Sequence, residues 1–215
     1  MHLTPFSSFL HAHTQIATPD LCPEIRLHLT SNLEAIWESQ ETWFARLGLS
    51  PPFWSIAWVG GQALARFTLD NPSVVRNRSV LDVGSGSGLC AIAAAMAGAR
   101  TVDAADIDRF SGDVIGINAR LNDVRVESLQ EDVIGVESQW DVVLAGDLWY
   151  EGFLAERLTG WLRRIAREGT VVLLGDCGRA HFPRRGVTEL QRYAIPTSVS
   201  LERNAMTSAG VWTIQ

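Results

Sequence analysis

Lysine is absent from this 215-residue sequence, and all 18 basic residues are arginines. With 24 acidic residues, the chain carries a formal net charge of −6 and has a pI of about 5.3. A protein with an acidic balance binds polyanions poorly on average, because its own field repels them. The composition therefore predicts that nucleic acid is not a partner.

Cysteine and long apolar runs are also scarce. The three cysteines, at positions 22, 90 and 177, are odd in number and far apart, which excludes a disulfide framework and favours a reducing compartment. The longest apolar run, 89–97, is too short to cross a bilayer. No basic residue precedes Arg26, so the basic region of a signal peptide is missing. These absences predict a cytoplasmic protein of bacterial origin with no membrane partner, unless a presequence has been removed.

Glycine is concentrated in one loop, Gly84-Ser85-Gly86-Ser87-Gly88. A short apolar run precedes it and helix-forming residues follow, which predicts a buried strand, a tight turn and a buried helix. Glycines allow positive φ angles and the close approach of a ligand, and the following helix offers free N–H groups. Leu89 stands where the dinucleotide fingerprint G-x-G-x-x-G has its last glycine. A nucleotide-type binder of another kind and a purely structural turn remain alternatives.

Acidic residues end two of the predicted strands. Asp106 ends the second strand, where an acid in doubly wound folds binds ribose, since a carboxylate accepts two O–H donors at once. Ile107 is placed to lie against an adenine, and Asp108 is explained as a helix cap. Asp147 ends the fourth strand, and ligands in such sheets bind beyond the carboxyl ends of the strands. The alternative for Asp147 is the N-cap of the next helix.

The remaining pattern predicts one domain, which suits the chain length and the 47% hydrophobic content. Residues 177–186 are predicted to be a polar, basic loop where a helix would be expected, and residues 1–30 to be irregular. Residues 187–195 and 208–214 suit an antiparallel pair that closes the sheet. The predicted strands are 80–83, 100–108, 124–128, 140–147, 169–176, 187–195 and 208–214, and the predicted helices are 31–47, 60–71, 89–97, 110–121 and 154–167.

Two tryptophans, Trp54 and Trp58, precede the glycine pair Gly60-Gly61. One interpretation is a hydrophobic cap over the core of the domain. The other is a lid over a bound ligand, because a positive charge over an aromatic face is favourable by about 0.5–2 kcal/mol. The sequence leaves both interpretations open.

The stretch from Val80 to Gly88 resembles motif I of the class I S-adenosylmethionine (SAM) methyltransferases. With Asp106, the block Asp147-Leu148-Trp149-Tyr150 and the stretch from Pro52 to Arg66, it makes residues 20–215 similar to the bacterial relatives of the electron-transfer-flavoprotein β-subunit lysine methyltransferases. These belong to family 16 of the seven-β-strand methyltransferases. The chain is also similar to ribosomal-protein methyltransferases.

This resemblance implies a Rossmann-like, doubly wound α/β fold with sheet order 3-2-1-4-5-7-6 and an antiparallel seventh strand. Residues 1–50 would form an N-terminal helical extension, and 51–215 the methyltransferase domain. SAM is the implied cofactor, a monomer is expected, and no metal is implied. Asp132 stands where the family recognises the adenine edge, although a plain loop acid explains it nearly as well. The cofactor-binding residues that the resemblance implies are Trp58, Gly60, Gly61, Asp82, Gly84, Ser85, Gly86, Gly88, Asp106, Ile107, Asp132 and Val133.

The resemblance also implies transfer of the SAM methyl group to a lysine Nε of the flavoprotein β subunit or of a ribosomal protein. Asp147 and Tyr150 would orient the amine, and Trp149 would wall the substrate channel. An enzyme without lysine could not methylate itself in this way, although codon bias accounts for the absence as well. The alternatives are a small-molecule N-methyltransferase that acts on a nicotinamide-like amine and a SAM-binding protein without turnover.

Overall fold

The computed structural model describes residues 10–30, 52–196 and 206–215. Helices cover both faces of a seven-stranded sheet, and a two-stranded sheet comes before it in the chain. No helix in these ranges is long and apolar enough to cross a membrane. The strands are β1 (Gln15–Ala17), β2 (Leu27–Leu29), β3 (Ser79–Val83), β4 (Thr101–Ala105), β5 (Glu127–Leu129), β6 (Val142–Gly146), β7 (Val171–Asp176), β8 (Val187–Pro196) and β9 (Met206–Ile214), and the helices are α1 (Val59–Asp70), α2 (Leu89–Met96), α3 (Ser111–Leu121) and α4 (Gly152–Arg167).

The large sheet has the strand order β5-β4-β3-β6-β7-β9-β8. Strands β3 to β7 pair in parallel, whereas β9 runs antiparallel to both β7 and β8. Counted within this sheet alone, the order is 3-2-1-4-5-7-6 with an antiparallel seventh strand. The predicted doubly wound α/β fold is therefore confirmed.

The central strands are apolar throughout because both of their faces are covered. Val80 and Leu144 pack on the face that carries α1, α2 and α3, while Leu81 and Val143 pack on the face that carries α4. All four side chains are fully buried. The chain crosses to opposite faces after β3 and after β6, so the switch point of the sheet lies between these two strands.

The amino-terminal segment departs from the prediction. Residues 1–30 were expected to be irregular, but β1 and β2 form an antiparallel pair. The backbone N–H of His28 donates to Asn118 Oδ1 of α3 at 2.9 Å, so tertiary contacts stabilise strands too short to give a sequence period. The predicted third strand is shifted to Glu127–Leu129. The predicted helix at 31–47 lies outside the described residues.

Three residues of this segment belong to the main core. Cys22, Ile25 and Leu27 are fully buried in the cluster that includes α1 and α2. The Cys22 thiol lies 3.7 Å from the carbonyl oxygen of Gln62, and burial raises the pKa of this thiol to about 12. Cys22 is therefore a packing residue. The boundary proposed at residue 50 stays a prediction.

Candidate active site

The glycine loop follows β3 at the switch point. Gly84, Gly86 and Gly88 have φ angles of +62°, +54° and +84°, a region that other residues enter only with strain. A Cβ on Gly84 would also lie 2.4 Å from a methyl carbon of Leu148. The conformation at this point therefore requires glycine, and a larger residue would also have to displace the Leu148 side chain.

Asp82, on β3, connects this loop to α2 through hydrogen bonds. Its Oδ2 accepts hydrogen bonds from Ser85 Oγ at 2.6 Å and from the N–H of Ala91 at 3.0 Å. Burial raises the pKa of the Asp82 carboxyl to about 7, with a further contribution from the negative charge of Asp106. Asp82 and Ser85 thus hold the shape of the loop.

Asp106 lies directly after β4 and is joined to the same loop. Its Oδ2 accepts from the N–H of Gly86 at 2.8 Å, and its Oδ1 accepts from the N–H of Asp108 at 2.9 Å. Burial raises the pKa of this carboxyl. The neighbouring Ile107 is 76% exposed. The structure therefore brings together the acid and the glycines that the sequence predicted to share one site.

Asp147 follows β6 in a left-handed conformation, with φ of +58°. Its Oδ2 accepts from the N–H of Gly61 at 2.8 Å, and its Oδ1 lies 3.1 Å from Arg179 Nε and 3.0 Å from Arg179 Nη2. Burial raises the pKa of the Asp147 carboxyl to about 6, and Arg179 opposes that rise. The first turn of α1 and the loop after β7 therefore meet at this carboxylate.

The helix-cap alternative for Asp147 is wrong. The N-cap of α4 is Glu151, whose carboxylate accepts from the N–H groups of Phe153 and Leu154, both at 2.9 Å. This side chain satisfies the free donors at the start of the helix. The carboxylate of Asp147 has no capping bond among those the structure describes for α4, and its contacts go to α1 and Arg179 instead.

Gly60 and Gly61 allow α1 to approach the sheet closely. A Cβ on Gly60 would lie 2.5 Å from the carbonyl oxygen of Gly175 and 2.6 Å from Asp147 Oδ2. The Cα of Gly61 would lie 3.1 Å from a Cβ on Gly146. The absence of side chains at the two glycines lets α1 lie against Asp147 and the sheet. Contact of these glycines with a cofactor stays a prediction.

We expect Gly60→Ala to destabilise the protein by about 1–3 kcal/mol, because the added methyl group overlaps backbone that cannot move aside easily. Gly160→Ala is the matched control. Gly160 lies inside α4 with nothing within 4 Å of its Cβ position, so this change should stabilise by roughly 0.5–1 kcal/mol. Urea unfolding of both variants measures the difference. Equal midpoints would show that α1 does not depend on this close approach.

Arg179 is the functional candidate that the sequence reasoning missed. It lies in the loop after β7, pairs with Asp147, and places its Cζ 5.4 Å from the ring centroid of Trp58. The Trp58 ring N–H donates to the carbonyl of Phe53 at 3.0 Å. The sequence feature that could have drawn attention to this loop is Asp176. This acid ends the fifth strand of the sheet, much as Asp147 follows the fourth.

The two tryptophans before α1 differ in their surroundings. Trp54 is almost fully buried in a small cluster with Leu10 and Val114, as the hydrophobic-cap interpretation expects. Trp58 is half-buried, and one face of its ring carries the Arg179 guanidinium. The hydrophobic-cap interpretation is therefore confirmed for Trp54, and the lid interpretation for Trp58 stays a prediction.

The adjacent aromatics after Asp147 also separate. Trp149 is 0% exposed, its ring N–H donates to Thr159 Oγ1 of α4 at 3.1 Å, and it packs edge-on against Phe182 with centroids 5.0 Å apart. The prediction that Trp149 walls a substrate channel is therefore wrong, because the whole side chain is buried in the core. Tyr150 is 58% exposed, and partial burial together with the charge of Asp106 raises its pKa. Tyr150 thus stays at the surface, where the charge of Asp106 acts on it.

Asp132, predicted for the adenine edge, and Val133, predicted to bind the cofactor, both contact α4. Asp132 forms an ion pair with Arg157 at 2.9 Å and accepts from the N–H of Ile134 at 3.0 Å. Val133 is buried in the core beneath α4. The Asp132 carboxylate is accordingly shared with Arg157, and its role toward adenine stays a prediction.

Comparison with known proteins decides the family. Residues 63–173 match the family described as "Ribosomal protein L11 methyltransferase (PrmA)". The chain is 41% identical over 216 residues to the electron transfer flavoprotein beta subunit lysine methyltransferase of Xenopus laevis, covering 97% of this chain and 86% of the relative. The human protein of the same name is 38% identical over 217 residues, covering 97% and 81%. The chain belongs to the family of these lysine methyltransferases.

The methyltransferase also shares its fold with solved structures. Magnesium protoporphyrin IX methyltransferase from Synechocystis PCC 6803 with bound SAM matches with a TM-score of 0.53 and 14% identity, over 72% of this chain and 78% of that one. Identity at this level carries the fold alone. The two relatives are animal proteins, so bacterial origin stays a prediction, as does the cytoplasmic compartment.

SAM is the cofactor that the sequence predicts for this methyltransferase, and the solved structure with the same fold contains bound SAM. The donor set fits the molecule, because three carboxylates (Asp82, Asp106 and Asp147) surround the glycine loop and its neighbouring strand ends, with Arg179 as the cation that pairs with one of them. Carboxylate oxygens at these positions suit the sulfonium, the ammonium and the two ribose hydroxyls of SAM, which also carries one carboxylate of its own.

Proposed function

We propose that this enzyme transfers methyl groups from SAM to lysine side chains of the electron transfer flavoprotein β subunit. The observation that carries the proposal is the buried Asp147 carboxylate at the end of β6, at the same edge of the sheet as the glycine loop. A carboxylate in this position can orient a cationic amine. The relatives that bear the name of this activity span nearly the whole chain.

The openness of the site favours an amine carried on a protein. Ile107 and Tyr150, which flank the strand ends, are 76% and 58% exposed. Sites for small molecules usually enclose most of the ligand surface. A lysine side chain instead reaches in from outside while the rest of its protein stays on the surface.

We assign the cofactor contacts by chemistry. SAM supplies an electrophilic methyl group on a sulfonium. Asp106 has the acceptor oxygens for the two ribose hydroxyls, with Ile107 beside it for the adenine face. Gly84 is exposed and Gly86 is partly exposed, so the loop offers backbone at these two positions for the methionine part. Asp82 fixes the shape of that loop through Ser85 and the start of α2.

Asp147 and Tyr150 are assigned to the substrate amine. A lysine has a pKa of about 10.4 and must lose a proton before its nitrogen can attack. The carboxylate of Asp147 accepts hydrogen bonds from the amine and fixes its direction, and Tyr150 borders the exposed side, from which the proton can leave to water. Such positioning can supply on the order of 7–11 kcal/mol of a barrier, so a strong base is not needed.

The pH dependence of kcat/KM tests this division of roles. Burial raises the pKa of Asp147 to about 6, and the ionised form is the one that holds the amine. Above about pH 6, the logarithm of kcat/KM should rise with pH with unit slope, because the fraction of neutral lysine grows with pH. Below about pH 6 the slope should be two, because Asp147 also becomes protonated as the pH falls. In Asp147→Asn only the unit slope should remain. A break that persists in this variant would assign it to another group.

The substrate is tested by methyl transfer from labelled SAM to purified electron transfer flavoprotein. We expect label in the β subunit, recovered as methyl-lysine, and labelling that is slower on the order of 100-fold with the Asp147→Asn variant. Because the enzyme sequence has no lysine, any methyl-lysine in the mixture comes from the substrate. Ribosomal protein L11 and nicotinamide are offered in parallel. Label in either of these, with none in the flavoprotein, would overturn the proposal.

A further inference from the structure

Arg179 makes the contacts that suit a substrate amine. Its guanidinium lies within 3.1 Å of Asp147 Oδ1 through two nitrogens, and its Cζ lies 5.4 Å from the ring centroid of Trp58. A carboxylate beside an aromatic face is equally suited to a lysine ammonium. A guanidinium stays protonated and is a poor nucleophile, so an arginine can hold this place beside a methyl donor.

The same guanidinium has a second acceptor close by. Asp176 is 0% exposed, and its Oδ1 accepts from the N–H groups of Gly178 at 2.6 Å and Arg179 at 2.7 Å. No hydrogen-bond donor in the described ranges reaches its Oδ2, and Arg179 Nε is 3.9 Å away. A buried carboxylate oxygen without a donor is costly and rare. The backbone of Arg179 is therefore anchored to Asp176, while its side chain bonds to Asp147.

We propose that Arg179 is a gate for the substrate amine, closed when its guanidinium binds Asp147 and open when the guanidinium turns to Asp176 Oδ2. In the open arrangement the substrate lysine takes the vacated contacts with Asp147 and Trp58. Two carboxylates share one cation in the closed arrangement, so the entering ammonium compensates the remaining negative charge. This inference rests on the proposed lysine methylation.

A double-mutant cycle tests the gate with flavoprotein as the substrate, at a pH of about 8 where Asp147 is ionised. Asp176→Asn keeps the oxygen that anchors the loop but offers an N–H group where the guanidinium should turn. We expect the KM for the flavoprotein to rise on the order of tenfold, with little change in kcat or in the Kd for SAM. Arg179→Met removes the competing cation and should leave KM at or below the wild-type value.

The decisive value is the effect of Asp176→Asn in the Arg179→Met background. If Asp176 acts through Arg179, Asp176→Asn changes the KM of the Arg179→Met variant by no more than about twofold. An equal rise in both backgrounds would show that Asp176 acts directly, and the gate would be wrong. No effect of Asp176→Asn in the wild-type background, or a raised KM in Arg179→Met, would also overturn it.

Arg125→Met is the control for the loss of one positive charge. Arg125 is exposed, lies next to β5 at the far edge of the sheet, and should leave all three constants unchanged. The proposed function fails on a different observation. It is wrong if the wild-type enzyme does not label the flavoprotein, whereas the gate alone is wrong if labelling occurs and the cycle is additive.

Discussion

Replacement of Asp106 by alanine should weaken the binding of SAM by on the order of 100-fold or more. The carboxylate is placed to accept two ribose hydroxyls, and hydrogen bonds to a charged group contribute about 1.5–3 kcal/mol each. Its Oδ2 also accepts from the N–H of Gly86 at 2.8 Å, so the loop loses an anchor as well. Isothermal titration of the variant with SAM measures the Kd directly.

Asp106→Asn separates these two contributions. The amide keeps an acceptor for Gly86 but can no longer accept from two hydroxyls at once. We therefore expect a Kd between those of the wild type and the alanine variant. Asp113→Ala, an exposed acid in the first turn of α3, serves as the control and should bind SAM normally. An unchanged Kd in Asp106→Ala would refute the assignment of the ribose to this side chain.

Asp147→Asn should lower kcat on the order of 100-fold or more while leaving the Kd for SAM nearly unchanged. Asparagine has nearly the same shape and can still accept from the N–H of Gly61, but it carries no charge to orient the amine. The loss should therefore fall on the reaction of the bound substrate. Single-turnover transfer to the flavoprotein, with SAM binding measured separately, distinguishes the two effects.

Asp141→Asn is the matched control at the other end of the same strand. Asp141 directly precedes β6, accepts from Ser79 and pairs with Arg100 at 3.3 Å, far from the carboxyl ends of the strands. This variant should turn over at the wild-type rate. If Asp147→Asn also kept its rate, with SAM binding intact, Asp147 would be a structural residue that only joins α1 to the loop after β7.

The parts of the site that could be predicted from sequence are those whose chemistry is local. The glycine loop is recognisable because three alternate positions have positive φ angles, which favour glycine, and all three lie within five residues of the chain. Asp106 is recognisable because the ends of parallel strands meet at one edge of the sheet, and the apolar run before it marks the strand. Each of these inferences needs only the neighbours along the chain.

The parts that could not be predicted depend on residues far apart in the chain. Asp147 was singled out from its place after a strand, but its partners Gly61 and Arg179 are 86 and 32 positions away. Nothing local distinguishes Arg179 from the other arginines of its loop. The same holds for the first strands, which are stabilised by contacts with α3 rather than by their own pattern.

By itself the sequence determined the order of strands and helices from α1 onward, the glycine loop and the acids at the strand ends, since apolar periodicity and backbone sterics act over a few residues. The tertiary structure alone decided which neighbours these acids have. Trp149 and Tyr150 are adjacent and both aromatic, yet one fills the core beneath α4 and the other is exposed. That difference depends on how the backbone turns after Asp147 and on the packing of α4 against the sheet, because burial is settled by surfaces that come together only in the folded chain.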